Sequence, residues 1–518
     1  MPAPIRRFPL PGWWDPEFVF LTLHRSCSHS FWLDAGVAAE GGFSYLGAAD
    51  GASRFVTASV REGTVTLSFP WTGPGPGVGT GTGAGSGSGA VTLPETIFEF
   101  LREDLAAAER DGSGEDAGDA DAEAESGFRL GWVGWLGYEL GAQTVGAPVH
   151  DSRYPDAALL QVDRAIEFDH AARTVTLLAR ARPDEATTDR DEQWAAAVLA
   201  ALRAAARASA SHDPAAAGVR IIAPGAASAH WRHAPGRYDA LIRHCQALIT
   251  AGDAYQLCLT NEIRVAVHPD PVDAYLRLRA GSPSHHGGLL RFGDTALLSA
   301  SPEQFLAVSR TGRVSTRPIK GTRRRSTGIA RDLALRTELE TSDKERAENL
   351  MIVDLMRNDL GRIAELGSVA VTQLLDVESY AHVHQLVSTV EARLAAGLTG
   401  VDAVESCFPA GSMTGVPKPS AMGILDRLED GPRGIYSGAF GYFGFDGAVD
   451  LAMVIRSIVI DPDGASIGTG GGITALSDPA EEIEETRIKA AALLDVLGTT
   501  KTQLAIPPAT PTGQGLVT

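Results

Sequence analysis

The chain has 518 residues, 44% of them hydrophobic, and its 64 acidic residues outnumber 45 basic ones for a formal charge of -19. That length supports a large core, as one big enzyme or two domains. The acidic balance, with no basic face interleaved with aromatics, speaks against nucleic acid as a partner. No run approaches the ~18 apolar residues needed to span a bilayer. The opening "MPAPIRRFPLPGWWDPEF" has no signal-peptide core, so a cytoplasmic protein with no membrane partner is expected.

The first part of the chain reads as β with interruptions: "FVFLTL", "FWLDAG", "RFVTASV", "TVTLSF" and "FRLGWVGWLGYEL" are strand-like. Residues 73–90 are glycine-rich and predict a flexible insertion, and 104–126 predict a solvated acidic excursion. From Asp189 to Ala208, acids in the first turn and arginines in the last predict a helix. The stretch "SASHDPAAAG" then reads as a linker, so residues 1–218 are taken as an N-terminal region and 219–497 as a catalytic one, with a disordered tail at 498–518. Cys27, Cys245, Cys258 and Cys407 lie far apart without CxxC spacing, which suggests neither a disulfide framework nor a zinc site.

The catalytic region carries the chemistry. "RPIKGT" sets Lys320 between an apolar residue and a Gly-Thr pair, followed by three arginines, and reads either as part of a basic loop or as a lysine turned into a site. Ser342 to Ile363 predicts a capped helix with Glu345 and Glu348 on one face, and "DPAEEIEETRIKAAALLDVL" predicts another with Glu482, Glu485 and Lys489. Two such acidic pairs can bracket a hard divalent cation such as Mg²⁺. They can equally pair with Lys344, Arg346, Arg487 and Lys489 in water. "SIGTGGGITA" reads as an anion-binding glycine run or a plain turn. Arg456, in an apolar strand-like stretch, implies an acidic partner, either structural or a ligand. "FPAGSMTGVPK" predicts a turn before a proline-capped helix, and "RGIYSGAFGYFGFDG" a glycine-rich hairpin.

Together "SPEQF", "RPIKGT", "DKERAENLMIVDLMRNDLGR", "HVHQLVS", "FPAGSMTGVPK", "RGIYSGAFGY", "AMVIRS", "GTGGGIT" and "EEIEETRIKA" resemble, in this order, the chorismate-utilising enzymes. The match is dense over residues 230–497, and "FWLDAG" with "GWVGWLGYELG" extends it to the N-terminal region. The resemblance implies an α+β fold: two antiparallel β-sheets packed as a sandwich, helices outside, the site in a cleft. It also implies that Glu348 and Glu485 hold Mg²⁺, assisted by Glu345 and Glu482. Gly470, Gly472 and Lys489 then face the ring carboxylate of chorismate, and Tyr436 with Arg456 the enolpyruvyl carboxylate. Gly321, Thr322 and Thr414 line the pocket, and Glu303 protonates the departing C4 hydroxyl. "PIKGT", where anthranilate synthases typically have "PIAGT", resembles the aminodeoxychorismate synthase type, component I. Gln256 stands where isochorismate and salicylate enzymes carry a water-activating lysine, which leaves ammonia as nucleophile. Lys320 is then expected as a covalent nucleophile, its amine made neutral by burial or by Arg317 and Arg323. No cysteine has a glutaminase setting, so a separate glutamine amidotransferase subunit is implied as ammonia donor, for p-aminobenzoate and folate. One departure is Gln385, with His384 beside it, where the family has histidine. The alternatives are anthranilate synthase component I and a non-catalytic chorismate-binding regulatory subunit.

Overall fold

Strands from the two halves of the chain join in the same sheets, each half as one block. A computed structural model describes residues 4–37, 39–51, 53–70, 89–111, 127–181, 185–210, 228–380 and 382–499. Two antiparallel sheets of twelve strands each form its frame. One runs Ile5–Pro9, Thr174–Arg180, Arg164–Asp169, Phe43–Ala48, His29–Asp34, His286–Phe292, Thr295–Ser301, Ser457–Asp461, Gly464–Ile473, Gln256–Val265, Ala229–Trp231. The other centres on Gly131–Leu136, paired with Ala439–Gly444, and ends at Ile319–Arg324 beside Val383–Arg393. Both sheets thus mix strands from before and after residue 218, a position that itself lies outside the described residues.

The sheets close face to face on Phe31, Tyr45, Phe128, Val133, Trp135, Leu290, Phe440 and Tyr442, all buried. Gly288 allows this approach, because a Cβ there would fall 2.5 Å from the Phe440 ring. Helices cover the outer faces. Pro271–Gly281 and Pro479–Val496 pack on the first sheet and Asp343–Gly361 and Gly400–Cys407 on the second, each through an apolar stripe. The α+β sandwich expected from the motifs is therefore the observed fold.

Local expectations fare unevenly. The 189–208 helix is Glu185–Ala210. The acidic excursion at 104–126 begins instead as the end of a helix, Ile97–Asp111, in which Asp104 accepts from Trp132 Nε1 at 2.9 Å and pairs with Arg54 at 2.7 Å. Composition there masked a structural acid facing the sheet. Residues 112–126, nearly all of the glycine-rich stretch, most of the linker and the tail beyond 499 lie outside the described residues. All four cysteines are free. No described helix is long and apolar enough to cross a membrane.

Candidate active site

Lys320 lies on Ile319–Arg324, whose register against Val383–Arg393 shifts between Lys320 and Thr322. Gly321, at φ +78, makes the bulge, and a Cβ there would fall 2.9 Å from the Glu345 carboxyl carbon. The extra residue turns Lys320 and Thr322 to opposite faces, and Lys320 Nζ comes 4.0 Å from Glu348. Burial lowers the pKa of this amine, but Glu348, the Cys258 sulfur, Glu303 and Glu485 raise it by more, so the net shift is upward. The expected lowering by burial is outweighed by these neighbours. Arg317 is neutralised by Glu378 at 2.5 Å, and Arg323 by Glu338 at 3.0 Å and Glu345 at 3.4 Å, so neither repels the lysine's proton.

Glu303, between Thr295–Ser301 and Gln304–Val308, is 8% exposed. Burial pushes its carboxyl up to about 7. Lys320, the Ser412 hydroxyl, the Ile319 amide and Lys489 oppose that rise without cancelling it. Ser412 is a site residue that the turn motif "GSMTG" does not single out. It lies on the short helix Gly411–Thr414 and is buried. Thr414 is fully buried, its hydroxyl 3.4 Å from the carbonyls of Ala410 and Gly411.

The four predicted glutamates come from the two predicted helices. Ser342 caps Asp343–Gly361, accepting from Glu345 N at 3.4 Å, and Asp478 caps Pro479–Val496. Each carboxylate has a cation: Glu348 has Lys320, Glu345 has Arg323, Glu482 has Lys344 at 3.4 Å across the helices, and Glu485 has Lys489 at 2.7 Å. Gly471 makes room for Glu482, whose oxygen would lie 2.9 Å from any Cβ there. Burial raises Glu348, helped by Glu345 and Glu482 and opposed by Lys320 and Lys344. Burial also raises Glu485, but Lys489, Lys344 and Lys320 prevail and its net shift is downward.

The glycine run is a strand, Gly464–Ile473, and neither a turn nor a nest. Its pairing still frees backbone. Thr260 N donates to Glu429 at 2.8 Å and Cys258 O accepts from Arg433 at 2.8 Å, so both residues turn their main chain away from the glycine strand. Their partners Gly470 and Gly472 must then do the same. Beyond Ile467 no described strand covers that edge, and Gly470 O there accepts from Lys489 Nζ at 2.8 Å.

Tyr436 stacks over Gly468, where a Cβ would fall 2.0 Å from its ring. Arg456 does not lie in a strand facing the core. It follows Val449–Met453 at φ +50 with an exposed side chain, and no described carboxylate pairs with it. Partial desolvation by surrounding protein atoms, with Arg324 adding to it, lowers its pKa, as expected of a cation short of an anion. No ion pair or hydrogen bond among the described residues joins it to the Lys320 cluster. Gln256 is buried against Gly472 with Oε1 unpartnered. His384 is committed elsewhere, to Ser379 at 2.7 Å and Asp332 at 3.2 Å, while Gln385 is its buried neighbour on the opposite strand face.

The structure thus brings together Lys320, Glu303, Glu348, Glu485, Lys489 and Gly470, with Glu345 and Glu482 alongside. Among the described residues no three acidic, His or Cys groups converge as a metal cage. Hard carboxylate oxygens on two facing helices nevertheless suit Mg²⁺. The mutual repulsion that helps to raise Glu348 is the condition a divalent cation relieves.

A two-sheet sandwich with a buried acid, an adjacent lysine and paired glutamates defines an enzyme-like class of site. The family model described as chorismate binding enzyme matches residues 84–495. The chain belongs to this family. It is 44% identical over 493 residues to "Aminodeoxychorismate synthase" of Streptomyces griseus, covering 95% of this chain and 64% of that protein. It is 39% identical over 378 residues to "Anthranilate synthase component 1" of Streptomyces coelicolor, 71% of this chain and 72% of the other. Among solved structures, anthranilate synthase component I from Streptococcus pneumoniae superposes with a TM-score of 0.67 at 27% identity, over 88% of this chain and 92% of that one.

Proposed function

We propose that this chain aminates chorismate at C4 to 4-amino-4-deoxychorismate, using Mg²⁺ and ammonia from a separate glutamine amidotransferase subunit, for p-aminobenzoate and folate. The observation that carries this reading is Glu303, buried and poised near neutrality, beside Lys320. Hydroxide leaves poorly, so the step needs a proton donor at C4. An acid at about 7 is half protonated at working pH.

Lys320 must shed its proton before its nitrogen can bond to C2 of chorismate. As that bond forms, both ring double bonds shift, C1=C2 to C1=C6 and C5=C6 to C4=C5, and C4 releases its hydroxyl as water with the proton of Glu303. Ammonia then bonds to C4 and passes its surplus proton back to the Glu303 carboxylate, both ring double bonds shift back, and the C2–nitrogen bond to Lys320 breaks. Chorismate and ammonia give the aminated product and water, with the enolpyruvyl group retained. Glu348 and Glu485, with Glu345 and Glu482 alongside, would hold Mg²⁺, which would supply charge to bind the ring carboxylate. Lys489 and the free edge at Gly470 and Gly472 complete that grip, and Tyr436 and Arg456 bind the second carboxylate. Gln256 cannot serve as a base for water.

The test is product analysis of the purified chain with chorismate, Mg²⁺ and ammonium. 4-Amino-4-deoxychorismate supports the proposal. Pyruvate with fluorescent anthranilate would assign the chain to the anthranilate reaction, and binding without turnover to a regulatory role.

A further inference from the structure

The loop from Cys407 to Lys418, "CFPAGSMTGVPK", is tied down by buried groups along its length. Lys418 Nζ donates to Cys407 O at 2.9 Å, which closes the loop at its base, and to Asp359 Oδ2 at 2.7 Å. Asp359 lies near the end of Asp343–Gly361, the helix that bears Glu345 and Glu348. Farther along, Phe408 O accepts from Thr144 Oγ1 at 2.7 Å and Met413 O from Arg433 Nη1 at 2.6 Å. Gly411 lets the loop touch the glutamate helix, because a Cβ there would fall 2.2 Å from Leu355 Cδ2. Lys418 is 5% exposed and opens the helix Lys418–Glu429. A cation at a helix N-terminus opposes the dipole, and burying it with Asp359 costs solvation. Stability alone does not call for a lysine at this place.

What the loop presents is Ser412, buried, with its hydroxyl donating to the Glu303 carboxylate. Glu303 itself is fixed from the sheet, its carbonyl accepting from Met453 N at 3.0 Å. We infer that Lys418 is a positioning residue: by closing the loop against Asp359 it keeps the Ser412 hydroxyl on the Glu303 carboxyl. The inference rests on the proposed amination, in which Glu303 is the acid. A donated hydrogen bond favours the ionised carboxyl, so Ser412 limits the rise that burial causes. Lys320 and the Ile319 amide do the same from Ile319–Arg324, and Lys489 from Pro479–Val496. A loosened loop removes Ser412 and leaves those three, and Glu303 then keeps its proton to higher pH. Lys418 acts here through Ser412 and not through its own charge, which Asp359 balances.

Infrared titration of the full chain tests this, reading the band of the protonated Glu303 carboxyl, identified by its loss in Glu303→Gln. Wild type should show a midpoint at about 7, and Ser412→Ala one about a pH unit higher. Lys418→Met alone strands Asp359 and risks unfolding. The deciding variant therefore combines Lys418→Met with Asp359→Leu, apolar at both places. It should melt close to wild type and still show the raised midpoint of Ser412→Ala, with no further rise when Ser412→Ala is added. A wild-type midpoint in the folded paired variant would mark Lys418 and Asp359 as merely structural and overturn the inference. Additive shifts would overturn it too, since Lys418 would then act by another route than Ser412. A raised midpoint in a chain that makes no 4-amino-4-deoxychorismate keeps the positioning role and sinks the amination reading. Amination with an unmoved midpoint does the reverse.

Discussion

Replacing Glu303 by Gln keeps its shape and removes its proton chemistry, and its burial fixes what should follow. A rise from 4.5 to about 7 means that the folded chain holds the ionised carboxyl less favourably than water does, by on the order of 3 kcal/mol. The folded state binds this proton more tightly than the unfolded chain. Stability from this group is therefore fully present below pH 4.5, declines as pH rises toward 7, and is lost above it. Glu303→Gln escapes that decline. Urea unfolding should show the variant more stable than wild type at pH 8 by about 1 to 3 kcal/mol and nearly equal to it at pH 4.5.

Activity should move the other way. Loss of a general acid costs about 10²- to 10⁴-fold, and product formation by Glu303→Gln should fall within that range. In wild type, kcat should decline as pH climbs through about 7, because the protonated fraction of Glu303 falls. A variant within threefold of wild type, or a wild-type profile flat from about pH 6 to 8.5, would refute the assignment. An equal stability difference at pH 5 and pH 8 would refute the linkage between burial and proton affinity.

Lys320→Ala should abolish turnover and remove any chorismate-derived mass on the intact chain, and Lys320→Arg, which keeps the charge, should be equally inactive. Glu348→Gln and Glu485→Gln should each weaken Mg²⁺ binding by about tenfold or more in calorimetric titration, whereas Glu481→Gln, exposed on the same helix, should leave it unchanged. Arg456→Ala should raise the KM for chorismate by about 10- to 100-fold with little change in melting temperature, since no described carboxylate depends on it. Arg433→Ala should be the converse. It strands buried Glu429 and should cost about 3 to 5 kcal/mol in unfolding free energy.

The contrast between those two arginines marks what could be read from the sequence. Helix caps and i, i+3 glutamates are local patterns, so Ser342, Asp478 and the four acids were placed correctly from the chain alone. Pairing across the fold is not local. Nothing in "RGIYSG" shows that Arg433 would reach Glu429, Met413 O and Cys258 O, nor that Arg456 would leave its strand at positive φ. The strand form of the glycine run was hidden for the same reason. Its glycines answer to Tyr436, Leu259 and Gln256 arriving from other segments, not to a turn.

Lys320 shows the limit most sharply. Its motif announces a reactive amine, yet the protonation state depends on carboxylates drawn from three other segments, at Glu303, Glu348 and Glu485. Whatever discharges those carboxylates lowers the lysine's proton affinity. Protonating Glu303 is one such event, and it also creates the acid that C4 requires. The same proton that readies the leaving group therefore weakens the grip on the ammonium beside it, so acid and nucleophile are set by one electrostatic cluster and not by two independent residues.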